Sequence, residues 1–206
     1  MKWNCDKRYL LEAHAAGVPI IPTVFVSNAA ELESTDLDSD VVLKPSVSAG
    51  ANNTQRFRDD ATSAQSFAMS LLDAGHCVMV QPYQSSIDEH GEIGLVYMNS
   101  ELSHAFYKGP ILGDAELVKN DLFWEEEIRP AVAMQAHEQV GDAVMGFLVG
   151  RFREAPLYVR VDTVLDDDGR VVIMEIEANE PSLFFATDST SAERFARAVM
   201  KVVSAS

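Results

Sequence analysis

Cysteine is nearly absent from this chain. Cys5 and Cys77 are the only two; they match no metal-ligand spacing, and two thiols make no disulfide framework. Cys77 lies in the apolar run Cys77-Val78-Met79-Val80 and reads as a buried thiol, while Cys5 sits in a polar stretch. Long apolar runs are lacking as well, so no segment reaches the ~20 residues that a bilayer-spanning helix needs. The first residues, Met1 to Lys7, carry no apolar run of the signal-peptide kind. These absences lead to the expectation of a reducing, cytoplasmic setting. The five histidines have no serine or carboxylate partner at readable spacing, which argues against a histidine-based triad.

Basic residues are scarce. Sixteen lysines and arginines stand against 32 aspartates and glutamates, a net charge of -16. A surface this negative repels phosphate backbones and anionic lipid, so neither nucleic acid nor a membrane is an expected partner. An anionic small molecule could bind only at a local basic island, or together with a cation.

What is present is a globular composition, 47% hydrophobic and 8% aromatic, over 206 residues. That length supports one good core or two small ones. Helical spacing of apolar residues predicts helices over 6–17, 61–74, from Pro130 to about Gly150, and over Thr190–Val203. Ser27 could cap a short helix through 29–33. Trp124 followed by Glu125–Glu127 reads as a helix start. Short strands are expected at Asp40–Pro45, Thr54–Phe57 and Cys77–Gln81, with extended chain over Val18–Val26. Gly94–Met98 and Leu102–Tyr107 form a hairpin turning at Asn99-Ser100. Leu157–Leu165 and Val171–Glu177 form another, joined by Asp166-Asp-Asp-Gly-Arg170. Hairpins without a regular βαβ alternation predict an α+β fold with antiparallel sheets.

Three constellations could carry chemistry. In Tyr158-Val-Arg-Val-Asp162 the alternation of a strand sends Arg160 and Asp162 to one face. Glu175 and Glu177 share a face on the return strand. With a four-residue loop, 167–170, Asp162 lies opposite Glu175 and Arg160 opposite Glu177; any even-numbered loop keeps the four together. Three carboxylates and one arginine leave negative charge in excess, which a hard divalent cation with oxygen ligands would offset. The second is Leu43-Lys44-Pro45 running into Ser46-Val-Ser48-Ala-Gly50-Ala. A strand-end lysine precedes small residues whose backbone N–H groups can approach a phosphate. No Gly-Lys-Ser/Thr follows, so this is not a Walker loop. The third is Gln81-Pro82-Tyr83 with Ile87-Asp88 and Gly91-Glu92. A strand end can pair with an adenine edge there, and a carboxylate can accept from ribose hydroxyls.

In this order and spacing the segments resemble the ATP-grasp superfamily of carboxylate–amine ligases, nearest in type to the ligases that close the ring of cycloserine. The specific part is Arg160-Val-Asp162, then Met174-Glu175-Ile-Glu177 and Glu180-Pro181-Ser182-Leu183. The resemblance implies an ATP-grasp fold of two α+β subdomains clasping a nucleotide: a leading helix and connecting strand (1–23), a small subdomain with phosphate loop and hinge (24–84), and a large one with the metal-binding hairpin (85–206). It implies that Lys7, Lys44, Ser48 and Gly50 hold the phosphates of ATP, with Gln81, Tyr83 and Ile87 against adenine and Glu92 on the ribose. Asp162 and Glu175 would ligate one or two Mg²⁺ ions (Mn²⁺ being an accepted substitute), with Glu177 or Asn179 as third ligand. Arg160 would steady the transferred phosphoryl group, and Lys108 would lie near the acceptor. The implied reaction activates the carboxylate of a small amino-acid-like substrate as an acyl phosphate, which an amine opens. Family members carry a further α/β domain ahead of the segment resembling Lys7-Arg8-Tyr9. The resemblance therefore also admits a homodimer, a separate partner supplying that domain, or a non-catalytic ATP-binding module.

Overall fold

The computed structural model describes residues 2–48, 52–110, 119–120, 123–124 and 127–205. In chain order, a 3₁₀ turn (Lys2–Cys5) precedes α1 (Tyr9–Ala15), β1 (Val24–Val26), α2 (Ala29–Glu33), β2 (Val41–Pro45), β3 (Gln55–Phe57), α3 (Ala61–Asp73) and β4 (Val78–Pro82). Then come α4 (Ser86–His90), β5 (Glu92–Met98), β6 (Glu101–Lys108), β7 (Lys119–Asn120), β8 (Phe123–Trp124) and β9 (Ile128–Ala131). The chain closes with α5 (Gln135–Phe152), β10 (Tyr158–Leu165), β11 (Val171–Glu177) and α6 (Ser191–Ala205). The strands form a four-stranded sheet ordered β1-β4-β2-β3, a five-stranded sheet ordered β11-β10-β5-β6-β9, and the β7–β8 ribbon. Every strand pair is antiparallel. The α+β expectation holds.

The small sheet shows how alternation sorts its side chains. Val41 and Leu43 of β2, with Val78 and Val80 of β4, bury into a core with Leu32 of α2 and Ala64, Ala68 and Leu71 of α3. Val42, Lys44 and Gln81, one residue out of phase, line the opposite face. In the large sheet Leu95, Tyr97, Val159, Val161 and Ile173 pack under Val140, Val144, Met145 and Leu148 of α5. Part of the other face meets α6 through Val96, Met98, Phe106 and Ala198. Gly94 is required here: a Cβ on it would lie 2.1 Å from the Phe106 ring.

Several boundaries differ from the sequence reading, each for a local reason. Asn28 rather than Ser27 caps α2, because its Oδ1 accepts from the Glu31 amide at 3.0 Å while its Nδ2 donates to Glu31 Oε1. Pro130 does not open a helix. It lies in β9 at the outer edge of the large sheet, where a residue without an N–H is tolerated. The helix starts at Gln135, and Val132 ahead of it is 91% exposed. Trp124 pairs with Lys119 in the β7–β8 ribbon instead of starting a helix. Cys77 is half-buried rather than enclosed. The five-residue α4 was not foreseen, being too short for a periodic signal.

The edge strand β11 has one free side, and the start of the chain covers it. Ile173 exchanges backbone hydrogen bonds with Pro19 and Ile21, at 2.9 and 3.1 Å. Further along, the Tyr9 hydroxyl takes both backbone groups of Ile176, and Asn4 bridges the Ile176 carbonyl and the Ala178 amide. Side chains thus satisfy the strand where no neighbouring backbone reaches it.

Candidate nucleotide-binding cleft

The loop between β10 and β11 has five residues, 166–170, and Gly169 takes the positive φ of its turn, +75°. An odd loop alone would put Glu175 and Glu177 on the wrong face. A β-bulge corrects this. Leu165 pairs with Val171 and Thr163 with Ile173, after which Met174 is skipped and Asp162 pairs with Glu175, Arg160 with Glu177. The expected pairing is present, but it is reached by a bulge instead of an even loop.

That face forms one wall of a cleft of about 770 Å³ between the two sheets. Lys7, Lys44, Ser48, Gln81, Tyr83, Ile87, Glu92, Lys108, Arg160, Asp162, Glu175 and Glu177 all line it. Gly50, like the rest of 49–51, lies outside the described residues. Asn179 and Ser182 also line the cleft, as do Asn4, Cys5, Gln84 and Phe184, for which the sequence offered no site signal. Among the described lining residues four cations face five acids. The cleft is therefore no simple basic island, and a bound polyphosphate would have to bring a cation with it.

The charges are tied into one network. Arg160 donates to Asp162 through Nε and Nη2, both at 2.8 Å, to Glu177 at 2.5 Å, and to the Ser182 carbonyl at 3.2 Å. Burial opposes its charge, yet Asp162 and Glu177 hold its pKa above the ordinary value. Glu177 is pushed up to about 7, first by burial and then by the charge of Asp162, with Arg160 only partly offsetting them. Glu92 likewise rises to about 7, mainly through burial, with the Lys108 amine 4.0 Å away. Lys44 is lowered by burial, and Glu175 opposes that shift. Lys7 joins both walls: its amide donates to Ser46 of the small-sheet loop, and its Nζ meets the Ser48 carbonyl at 2.7 Å and Glu175 at 3.2 Å.

Two hinge residues are engaged differently from a simple adenine contact. Gln81 donates its side-chain amide to Thr23 at 2.9 Å, and the Tyr83 amide donates to the Asp40 carbonyl. The Tyr83 hydroxyl donates to Asp88 at 2.6 Å, and Arg56 covers its ring at 3.3 Å. Ile87 packs on α4 beside Val164 and Val172.

Among the described residues no three His, Cys, Asp or Glu side chains converge on a point where a metal ion could sit as they stand. Arg160 and Lys7 hold the acids apart. The donor set nevertheless suits a hard cation. Asp162, Glu175 and Glu177 are oxygen donors on one cleft wall, three carboxylates beside one arginine and one lysine that pair with them.

Two antiparallel sheets closing on a cleft lined by strand-end cations and hairpin carboxylates define the class. No protein-family model matches the chain. It is 32% identical over 210 residues to the cycloserine biosynthesis protein DcsG of Streptomyces lavendulae, an alignment spanning 97% of this chain and 70% of that protein. The crystal structure of D-cycloserine synthetase DcsG superposes with a TM-score of 0.85 at 29% identity, again over 97% of this chain and 70% of that one. The ATP-grasp ligase PsnB superposes at 0.65 with 14% identity, over 97% and 61%. D-alanine–D-alanine ligase from Bacillus anthracis, complexed with ATP, gives 0.65 with 15%, over 98% and 65%. The chain belongs to the ATP-grasp ligases, enzymes that use ATP to form carbon–nitrogen bonds.

Proposed function

We propose that the chain binds Mg-ATP in this cleft and activates the carboxylate of a small amino-acid-like substrate for attack by an amine. The observation that carries the reading is that Arg160, Asp162, Glu175 and Glu177 on the large sheet share one cleft with Lys44 on the small sheet and with Lys7. The subdomains follow the two sheets: 1–23 leads in, 24–84 forms the small lobe and 85–206 the large one. Lys7, Lys44, Ser48 and Gly50 take the phosphates. The hinge around Gln81, Tyr83 and Ile87 takes the base, with Tyr83 acting chiefly as a brace through Asp88 and Arg56, and Glu92 takes the ribose.

Asp162, Glu175 and Glu177 are the residues to hold Mg²⁺, which supplies charge neutralisation at the phosphates when bound. In the first step a substrate carboxylate oxygen attacks the γ-phosphorus, the bond to ADP breaks, and an acyl phosphate forms. In the second the amine nitrogen attacks the acyl carbon, phosphate leaves, and the nitrogen loses a proton. The chain's own contribution is positioning and charge. Arg160 opposes the charge on the transferred group, and Lys108 lies toward the acceptor. Among the described residues no helix is long and apolar enough to cross a membrane; with the scarcity of cysteine this supports a cytoplasmic enzyme. Any homodimer or partner domain would add to the 70% of the DcsG length that this chain spans.

The test is a titration with a non-hydrolysable ATP analogue and Mg²⁺, then a screen of amino-acid pairs for ADP release. Mg-dependent nucleotide binding followed by ADP release with a particular pair supports the ligase reading. A folded chain that binds no nucleotide refutes it.

A further inference from the structure

Beyond β11 the chain lines the cleft under backbone strain. Asn179, Glu180, Ser182 and Phe184 all face it, yet Glu180 and Phe184 take left-handed backbone, φ 59° and 45°, without being glycine. Such conformations persist only where their surroundings impose them. Three contacts do so. Arg160 holds the Ser182 carbonyl, the Phe184 ring meets Phe106 at 4.5 Å, and His104 Nε2 lies 2.8 Å from the Leu183 carbonyl.

His104 is buried on β6 and does not itself line the cleft. A carbonyl only accepts, so Nε2 carries the proton and Nδ1 must accept. The Ser103 hydroxyl supplies that bond at 3.0 Å, and Ser103 Oγ accepts in turn from Arg194 Nε at 2.9 Å. Arg194 is fixed on α6 by Asp188 at 2.8 Å and by Thr190. Burial lowers the His104 pKa, which favours the neutral ring this arrangement needs. A chain of ordered donors therefore runs from α6 to one carbonyl of the strained segment.

The segment sits at the Arg160 end of β10, whereas α4 is tied to the other end by Ser86 donating to the Leu165 carbonyl. Five residues of strand separate them, roughly 16 Å. We infer that His104 is a positioning residue: through Leu183 it holds 182–184 in the shape that receives the non-nucleotide substrate, and it leaves nucleotide binding at the hinge alone. This rests on the ligase reading above.

The test compares H104F, which removes both ring bonds, with H104Q, whose amide can still donate to Leu183, and with S103A, a smaller change that loosens the ring without emptying the site. Affinity is measured for Mg-ADP, and for D-cycloserine added to the Mg-ADP-loaded chain; amide hydrogen exchange is followed over 178–187. We expect D-cycloserine to bind at least tenfold more weakly to H104F, two- to fivefold more weakly to S103A, and within twofold of the parent to H104Q. Mg-ADP affinity stays within twofold throughout, and exchange over 178–187 accelerates in H104F and S103A only. Unchanged exchange in both of those variants, or Mg-ADP affinity falling in step with D-cycloserine affinity, overturns the inference. A parent chain that binds no Mg-ADP refutes the ligase reading instead; there, or where the parent binds Mg-ADP but no D-cycloserine, the exchange comparison decides the role of His104 by itself.

Discussion

The two walls of the cleft are built on opposite plans. The small-sheet wall offers a single strand-borne cation, Lys44, beside Val42 and Gln81, with its loop held through Ser46 and Ser48 by Lys7. The large-sheet wall concentrates charge: Glu92, Lys108, Arg160, Asp162, Glu175 and Glu177 project from four neighbouring strands, with Arg160 bonded to two of the acids. One wall offers contact surface and one positive charge; the other carries the groups suited to chemistry. A buried ion network needs a rigid sheet to keep every member satisfied.

Damage to the large wall should cost turnover or the metal-dependent part of binding, and damage to the small wall should cost nucleotide affinity alone. The largest expected effect is R160A, which leaves Asp162 and Glu177 without their arginine: the rate of ADP release should fall by roughly 10²–10³ or more, with R160K recovering little because its single ammonium cannot bond both acids as the guanidinium fork does. Next is E175A, expected to weaken Mg-nucleotide binding about 10- to 100-fold, read by calorimetry with a non-hydrolysable analogue. Binding as tight as the parent's would remove Glu175 from the metal set. K44A tests the other wall. Loss of one charge-assisted phosphate contact, about 1.5–3 kcal/mol, raises the nucleotide dissociation constant roughly 10- to 100-fold while the rate at saturating ATP changes much less. A comparable fall in that rate would erase the distinction between the walls.

The smallest effect concerns stability. Glu92 is raised to about 7, chiefly by burial. An acid whose folded pKa is raised favours the folded state while protonated; that advantage fades as pH climbs from the ordinary glutamate range through about 7. E92Q, neutral at every pH, should therefore be more stable than the parent at pH 8 by roughly 1–2 kcal/mol, read as a higher unfolding temperature. The gain should vanish near pH 4. Equal gains at both pH values would show that Glu92 is not a buried, raised acid.

Much of this site could be read from residue order. Alternation along Tyr158–Asp162 put Arg160 and Asp162 on one face, and the Lys44-Pro45 strand end was visible as apolar run, cation and proline. The contacts that finish the cleft were not readable, because they join residues far apart in the chain. The bulge at Met174 depends on how a five-residue turn meets a core that needs Ile173 and Ile176 on one face. The turning of the Tyr83 hydroxyl to Asp88 depends on Arg56 arriving from β3. His104 reaches a carbonyl 79 positions away.

What the sequence determined by itself was local: the period of each strand, the turn residues, and the set of charges that had to be neutralised together. Tertiary structure decided which of those charges meet and which side chains hold them there. The reason is physical: alternation and turn propensity act over a few residues. The placing of Arg160 between Asp162 and Glu177, with Lys7 bridging to the other wall, exists only once two sheets have packed and desolvated the space between them.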